Sequence, residues 1–281
     1  MTQRAIYFLT GLVAAMALTV LPANARTSSS TSGKIAVFDN ADAVLILAAN
    51  SGRVMARIRS NSFTGAEISP DGRWLALEMY PRPKGLVVQP ISDGRAITVA
   101  RCSAKWCPGW PSWAGNTFEL AYDQGGIIYT VGANGLGRTR VIRGETPDWS
   151  PRTSEIAFMR DFSYYTRAGK IFVAAVDGHD LRYVTRGAYP NFHPSGRRLV
   201  FVRGPDIYTV PVTGGRPHRF IRNGSAPVWS PDGRFVAFTR ETSCGHAVCS
   251  GRIFIAPAGG NRTPRPIGPE IADIGRISWG R

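Results

Sequence analysis

One twelve-residue pattern returns along the chain and constrains the fold more than anything else in the sequence. Its fullest copy, P-V-W-S-P-D-G-R-F-V-A-F, begins at Pro227. Ungapped copies begin at Ala66 (A-E-I-S-P-D-G-R-W-L-A-L), Pro147 (P-D-W-S-P-R-T-S-E-I-A-F) and Pro190 (P-N-F-H-P-S-G-R-R-L-V-F). A looser copy begins at Pro111 (P-S-W-A-G-N-T-F-E-L-A-Y), and a stump, G-R-I-S-W-G-R, runs from Gly275 to Arg281. Each copy joins two strand-like runs through a turn. Proline presets φ at the first turn position, and glycine supplies positive φ at little cost.

Between copies the chain alternates apolar runs and turns, with no helical period. In the unit from Pro227 the runs are 228–230, 235–240, 253–256 and a weaker one near 262–267. Third-strand candidates elsewhere are 86–88, 127–131, 171–175 and 207–210, rich in the β-branched and aromatic residues that sheets favour. Four strands per unit of about forty residues is the mark of a β-propeller, whose four-stranded blades bury their faces by stacking in a ring. The N-terminal runs 35–38, 44–47 and 54–58 lack an innermost strand, which the C-terminal stump can supply. The expected fold is therefore all-β: a six-bladed propeller of four-stranded antiparallel blades, closed by pairing of the C-terminal strand with the N-terminal blade.

Residues 1–25 read as a cleavable signal peptide, with an uncleaved membrane anchor as the alternative. Arg4 gives the basic start, residues 5–21 the apolar stretch, and Ala23-Asn24-Ala25 the small-x-small cleavage site. Residues 26–33 form a flexible lead-in and 34–281 the single propeller. The expected location is secreted or periplasmic, not transmembrane once the signal is removed. Export makes the cysteines readable: Cys102 with Cys107, and Cys244 with Cys249, are the simplest local pairings, although four cysteines allow three connectivities. Their spacing is not that of a zinc site, so no metal or cofactor is expected.

The chain carries 34 Lys and Arg against 19 Asp and Glu, a formal net charge of +15, and only four of the 34 are lysine. Arg138, Arg140, Arg143, Arg182, Arg186, Arg219 and Arg222 fall in predicted outermost strands. There they either protect sheet edges or attract an anionic envelope component. Nucleic acid is not expected of an exported chain without a nucleic-acid-binding module.

The repeats resemble the TolB-like (WD-like) propeller family, on Pro147-Asp148-Trp149-Ser150-Pro151, Pro227-Val228-Trp229-Ser230-Pro231-Asp232-Gly233 and the I-A-F and V-A-F runs that follow. The resemblance covers roughly residues 35–281 and speaks to fold rather than function. It implies the C-terminal propeller of TolB without its N-terminal α/β domain, for which residues 25–35 leave no room. It also implies the lipoprotein-binding role of TolB and its partnership with inner-membrane machinery.

In a propeller the connections between second and third strands share one face with those between blades. The longer connections here carry Tyr80, Arg82 and Lys84; Lys105, Trp106 and Trp110; Phe162, Tyr164, Tyr165 and Arg167; and His246. Such a face is the expected partner-binding surface. The residue between the repeat proline and the repeat aromatic falls near the channel mouth: Glu67, Ser112, Asp148, Asn191, Val228 and, from the stump, Arg276. This polar ring is read either as an internally neutralised plug or as a site for a small polar ligand, peptide terminus or cation. Trp113, Trp149, Phe192 and Trp229, one residue on, are expected to pack between blades.

No catalytic residues are assigned. The chain has no G-x-S-x-G, H-E-x-x-H or P-loop, its four histidines are scattered, and G-A-N-G-L-G from Gly132 lacks a strand-to-helix setting. The expected function is a monomeric, non-catalytic scaffold binding a protein or an anionic envelope component. The alternatives are a carbohydrate-active enzyme using channel carboxylates such as Glu67 and Asp148, and a small-ligand or cation-binding propeller.

Overall fold

The computed structural model describes residues 31–281 except 40–42, 60–62, 81–84, 93, 116, 164, 167, 245–248, 261–262 and 273, and at 244 and 249 the backbone alone. The described residues contain strands and turns and no helix. Strands β1 (Lys34–Asp39), β2 (Ala43–Ala48) and β3 (Val54–Arg59) belong to the first sheet. The second holds β4 (Phe63–Ile68), β5 (Trp74–Met79), β6 (Gly85–Pro90) and β7 (Ile97–Arg101). The third holds β8 (Gly109–Trp113), β9 (Glu119–Asp123), β10 (Ile127–Gly132) and β11 (Thr139–Arg143).

A seven-stranded sheet follows: β12 (Glu145–Trp149), β13 (Glu155–Ser163), β14 (Ala168–Ala175), β15 (Arg182–Phe192), β16 (Arg198–Arg203), β17 (Asp206–Pro211) and β18 (His218–Ile221). In it β15 does double duty, pairing with β14 through residues 182–187 and with β16 through residues 188–192. The fifth sheet holds β19 (Ser225–Trp229), β20 (Phe235–Cys244), β21 (Cys249–Pro257) and β22 (Arg265–Ala272). Last comes β23 (Ile277–Gly280), which pairs antiparallel with β1, Ile277 opposite Val37 and Trp279 opposite Ile35. Every pairing is antiparallel between chain neighbours except this one, which joins the two ends.

The turn chemistry works as the sequence predicts. Ser69 Oγ bonds Asp71 and accepts the Trp74 N–H at 2.9 Å, and Ser230 Oγ does the same with Asp232 and Phe235 N–H, at 3.0 Å. Glycine is required at position 72 twice over. Its φ is +69°, and an added Cβ would overlap the carbonyl oxygen of Arg281.

The buried apolar side chains fall into six clusters among the described residues, each shared by neighbouring groups of strands. Ala76 and Leu86 meet Trp113, Leu120 and Tyr122; Ala157 and Ile171 meet Phe192 and Phe201; Val200 and Ile207 meet Trp229 and Phe238. One cluster packs Ile35, Leu45 and Leu47 of the first sheet against Ala237, Ile253 and Ile255 of the fifth. The innermost strands touch in the order β4, β8, β12, β15, β19, β23 and back to β4. Trp113, Phe192 and Trp229 sit buried between sheets, as their place in the repeat predicts, and Trp149 is partly buried there. Burial of one such side chain contributes about 1.5–3 kcal/mol, so these interfaces carry the fold.

Candidate functional site

Four of the six inner strands share one distortion. Trp110, Thr146, Tyr189 and Ala226 have φ of 51°, 49°, 54° and 46°, the left-handed region. The ladder skips at each of them, between Gly109 and Ser112, Glu145 and Asp148, Ala188 and Asn191, and Ser225 and Val228. Such bulges re-aim side chains at a sheet edge. Two residues further on, the polar ring residue takes the backbone N–H of the next inner strand. Ser112 Oγ accepts Trp149 N–H at 2.8 Å, Asp148 Oδ2 accepts Phe192 N–H at 2.6 Å, and Asn191 Oδ1 accepts Trp229 N–H at 2.9 Å. Asn191 also donates to Asp148 Oδ1 at 2.8 Å. The polar repeat position is thus a clasp between neighbouring strands as well as a wall of the channel.

The stump obeys this rule in a different register from the one its sequence suggests. Ser278, fully buried, accepts Ile68 N–H at 2.9 Å and holds the ring position assigned to Arg276. Trp279 lies opposite Ile35 as Trp149 lies opposite Ile156, and its Nε1 donates to Ser32 O at 3.0 Å. The register is set by burial of Trp279 between sheets, which the ungapped alignment of G-R-I-S-W could not weigh. Arg276 lies two residues earlier, level with the bulge residues, and still faces the channel.

The inner strands surround a cavity of about 890 Å³, lined by Glu67, Ser112, Asp148, Asn191, Val228 and Arg276 among others. Trp110 and Tyr189 also line it, stacked at 5.2 Å, and Phe162 leans on Tyr189 at 5.9 Å. The Arg276 guanidinium lies 4.6 Å from the centre of the Trp110 ring and donates to Glu78 Oε1 at 2.8 Å. The same oxygen accepts Trp110 N–H at 2.9 Å. Another part of the wall is apolar: Val202, Val228 and Ile274.

The carboxyls here are strongly perturbed. Burial pushes Glu67 up to about 8; Arg276 opposes the rise, while Asp148 and Glu78 add to it. Burial likewise raises Asp148 to about 7, against the bonds from Phe192 and Asn191. Asp123 accepts Thr146 N–H at 2.8 Å, yet burial still carries it to about 7. Near neutral pH Glu67 and Asp148, which line the cavity, hold protons part of the time, so its wall can donate hydrogen bonds as well as accept them.

Two of these acidic residues, Glu78 and Asp123, escape the repeat reading. They stand one place after the aromatic or leucine that ends the second-strand run, where other units carry Met159, Val202 and Thr239. Extending the unit alignment by one residue would have exposed them. A further regularity lies one place beyond. Arg160, Arg203 and Arg240 each stack on two rings, Phe158 with Phe172, Phe201 with Tyr208 and Phe238 with Phe254. Each also donates to a backbone carbonyl of the preceding outermost strand or its end: Arg143 O, Arg186 O, and Arg222 O with Asn223 O. The F-x-R sequence therefore clamps one group of strands to the next.

Of the residues expected on the partner face, Tyr80, Trp106 and Tyr165 are exposed. Lys105 Nζ lies 5.2 Å from the centre of the Trp106 ring. Trp110 and Phe162 instead turn into the cavity. Arg82, Lys84, Tyr164, Arg167 and His246 lie outside the described residues. Cys102 and Cys107 form a disulfide, as expected, while the side chains of Cys244 and Cys249 lie outside the description. No described helix is long and apolar enough to cross a membrane. Residues 1–30, with the expected signal and most of the lead-in, also lie outside the described residues.

No family model matches the chain, and no curated protein matches its sequence. Solved structures do. TolB from Acinetobacter baumannii is similar at a TM-score of 0.70 with 14% identity, over 89% of this chain and 67% of that one. Putative TolB from Agrobacterium tumefaciens is similar at 0.60 with 15% identity, over 89% and 99%. An oligogalacturonate lyase in complex with manganese is similar at 0.57 with 15% identity, over 80% and 70%. At such identities the likeness is one of fold: the chain has a β-propeller fold similar to that of TolB.

Proposed function

We propose that the chain is an exported scaffold, residues 34–281 forming a six-bladed propeller closed by the pairing of β23 with β1, that binds a protein or another cell-envelope component without chemistry of its own. The observation that carries this reading is the cavity of about 890 Å³, walled by the inner strands and bordered by Trp110, Tyr189 and Phe162. Concave sites with apolar walls and a few placed polar groups are where ligands and partner segments seat. Six-bladed closure draws support from the six inter-sheet clusters, the cyclic contacts of the inner strands and the two-way pairing of β15. Export draws support from the Cys102–Cys107 disulfide and the signal-like residues 1–25, and the secreted or periplasmic location follows from it.

A second reading, an enzyme acting on acidic glycans, is favoured by one observation: Glu67 and Asp148, pushed to about 8 and about 7, share the cavity of a fold also found in an oligogalacturonate lyase. Among the described residues no group of three or more His, Cys, Asp or Glu is gathered to hold a metal ion. The manganese of that lyase complex therefore lends this reading no support.

One set of variants separates the two. Capture of envelope components by the immobilised chain, with crosslinking, is compared with that of Trp110→Ala/Tyr189→Ala and of Glu67→Gln/Asp148→Asn. The scaffold reading expects the aromatic variant to lose the specifically captured species and the carboxyl variant to keep it, with neither protein turning over oligogalacturonate. Identical capture by wild type and the aromatic variant overturns the cavity as the seat of binding. Turnover lost in Glu67→Gln/Asp148→Asn installs the enzyme instead.

A further inference from the structure

Five outermost strands end in arginine at one equivalent place. Arg59 stands opposite Ala43, Arg101 opposite Gly85, Arg143 opposite Ile127 and Arg186 opposite Lys170, while Arg222 directly follows Ile221, the partner of Ile207. In β22 the place is taken by Gly268, which directly follows Ile267, the partner of Ile253. All five are exposed, and none forms an ion pair among the described residues. This place is the end of each strand that leads toward the next inner strand, the side on which Trp110 and Phe162 border the cavity.

Several features mark that end as a docking surface. The carbonyls of Arg143, Arg186 and Arg222 are held by the stacked guanidinium groups of Arg160, Arg203 and Arg240, so a second tier of cations lies behind the first. Carboxylates there are largely neutralised: Asp39 pairs with Arg57, Asp161 with Lys170, Asp206 with Arg219 and Glu270 with Arg252, while Glu145 and Glu241 stand beside them. At the opposite end the turn arginines Arg73 and Arg234 each come two residues after an aspartate, whereas Arg53 and Arg197 come two residues after a serine.

The arginine-bearing end also presents aromatic tips from three separate connections. Tyr80, Trp106 and Tyr165 are 56%, 51% and 102% exposed. The disulfide, Ser103 and Gln124 fix the Trp106 backbone: Ser103 N–H and Gln124 Nε2 both donate to Trp106 O, at 2.8 and 2.9 Å. A large ring is thus held outward at little entropic cost.

We propose that this end docks on the surface of an anionic phospholipid bilayer. The arginine ring engages headgroup phosphates, for which the guanidinium fork is suited. The Tyr and Trp tips settle at the headgroup level, where amphipathic rings are favoured. A soluble acidic glycan would use the charge but give the exposed rings no apolar boundary to enter. The proposal rests on the exported scaffold read above and names the envelope component that scaffold meets.

The test is co-sedimentation of the exported chain with vesicles of 30% phosphatidylglycerol in phosphatidylcholine, and of phosphatidylcholine alone, at 20 and 500 mM NaCl (assay settings of about these values). The expected result is binding to anionic vesicles at low salt, loss at high salt, and none on neutral vesicles. Replacing the five ring arginines by Gln should lower the partition coefficient by at least about tenfold, since each surface cation contributes about fivefold. A charge-matched variant of the opposite end, R53Q/R73Q/R95Q/R197Q/R234Q, should lose less than about threefold. Trp106→Ala should lower binding several-fold with the net charge unchanged.

Equal losses in the two arginine variants overturn the proposal, because they leave only nonspecific charge. So does retention that soluble polygalacturonate abolishes and Trp106→Ala does not alter, which would assign the ring to a glycan. Partner capture through Trp110 and Tyr189 is read separately. Failure on vesicles with capture intact sinks only the lipid proposal, and loss of capture with vesicle binding intact sinks only the cavity reading.

Discussion

Glu67→Gln should stabilise the protein, and increasingly so as the pH rises. The Glu67 carboxyl faces the cavity, accepts no hydrogen bond among the described residues, and is raised from 4.5 to about 8, mainly by burial. A carboxyl whose folded value lies above its unfolded one favours folding when protonated. That contribution is complete below 4.5 and is lost as the pH climbs toward about 8. At about 1.4 kcal/mol per pH unit the full loss would be roughly 4–5 kcal/mol. Because one side of the group meets the cavity, about half of that, or ~2 kcal/mol, is the expected difference at pH 8.5. For a chain of this size it corresponds to a melting temperature about 4–8 °C higher in the variant at pH 8.5, falling to about 1 °C or less at pH 5. Thermal unfolding of both proteins across that range is the assay. Curves that stay parallel from pH 5 to 8.5 would refute a carboxyl desolvated in the channel.

Ser278→Ala leaves the Ile68 N–H without its acceptor at the seam where the chain ends meet. A cost of about 1–3 kcal/mol is expected in urea unfolding, and a change under about 0.5 kcal/mol would remove Ser278 from the clasp. Arg240→Met keeps much of the side-chain bulk over Phe238 and Phe254 but loses the charge and the bonds to Asn223 O and Arg222 O, a loss of about 2 kcal/mol. Arg240→Lys should recover only part of it, since an ammonium cannot both stack and fork; equal stability of the two variants would contradict the clamp.

Much of the fold was legible because its signals are local. The Ser-Pro-Asp-Gly turns at Ser69 and Ser230 close through their own side chains, and strand runs such as 207–210 declare themselves by composition. The end-to-end pairing was also foreseeable, since an unpaired inner-strand place at the beginning and a spare half-repeat at the end leave one economical solution. The site was legible only in part. Glu67, Ser112, Asp148 and Asn191 could be placed by counting along the repeat. Counting failed at Arg276, because the register of β23 follows burial of Trp279, a contact with the opposite end of the chain. Glu78 and Asp123 were missed because each looks like an ordinary polar residue at the end of its run. Their importance comes from which strands converge on them.

Sequence by itself determined that this chain makes short antiparallel strands in fours, with turns of known type and aromatics at fixed intervals, since propensity and turn chemistry act over a few residues. Only the tertiary structure decided that Glu67, Asp123 and Asp148 lose their water together, that Arg276 reaches Glu78, and that five arginines 36 to 43 residues apart stand at one end. Desolvation and Coulomb interactions depend on what approaches through space, and along the chain those partners are far from one another.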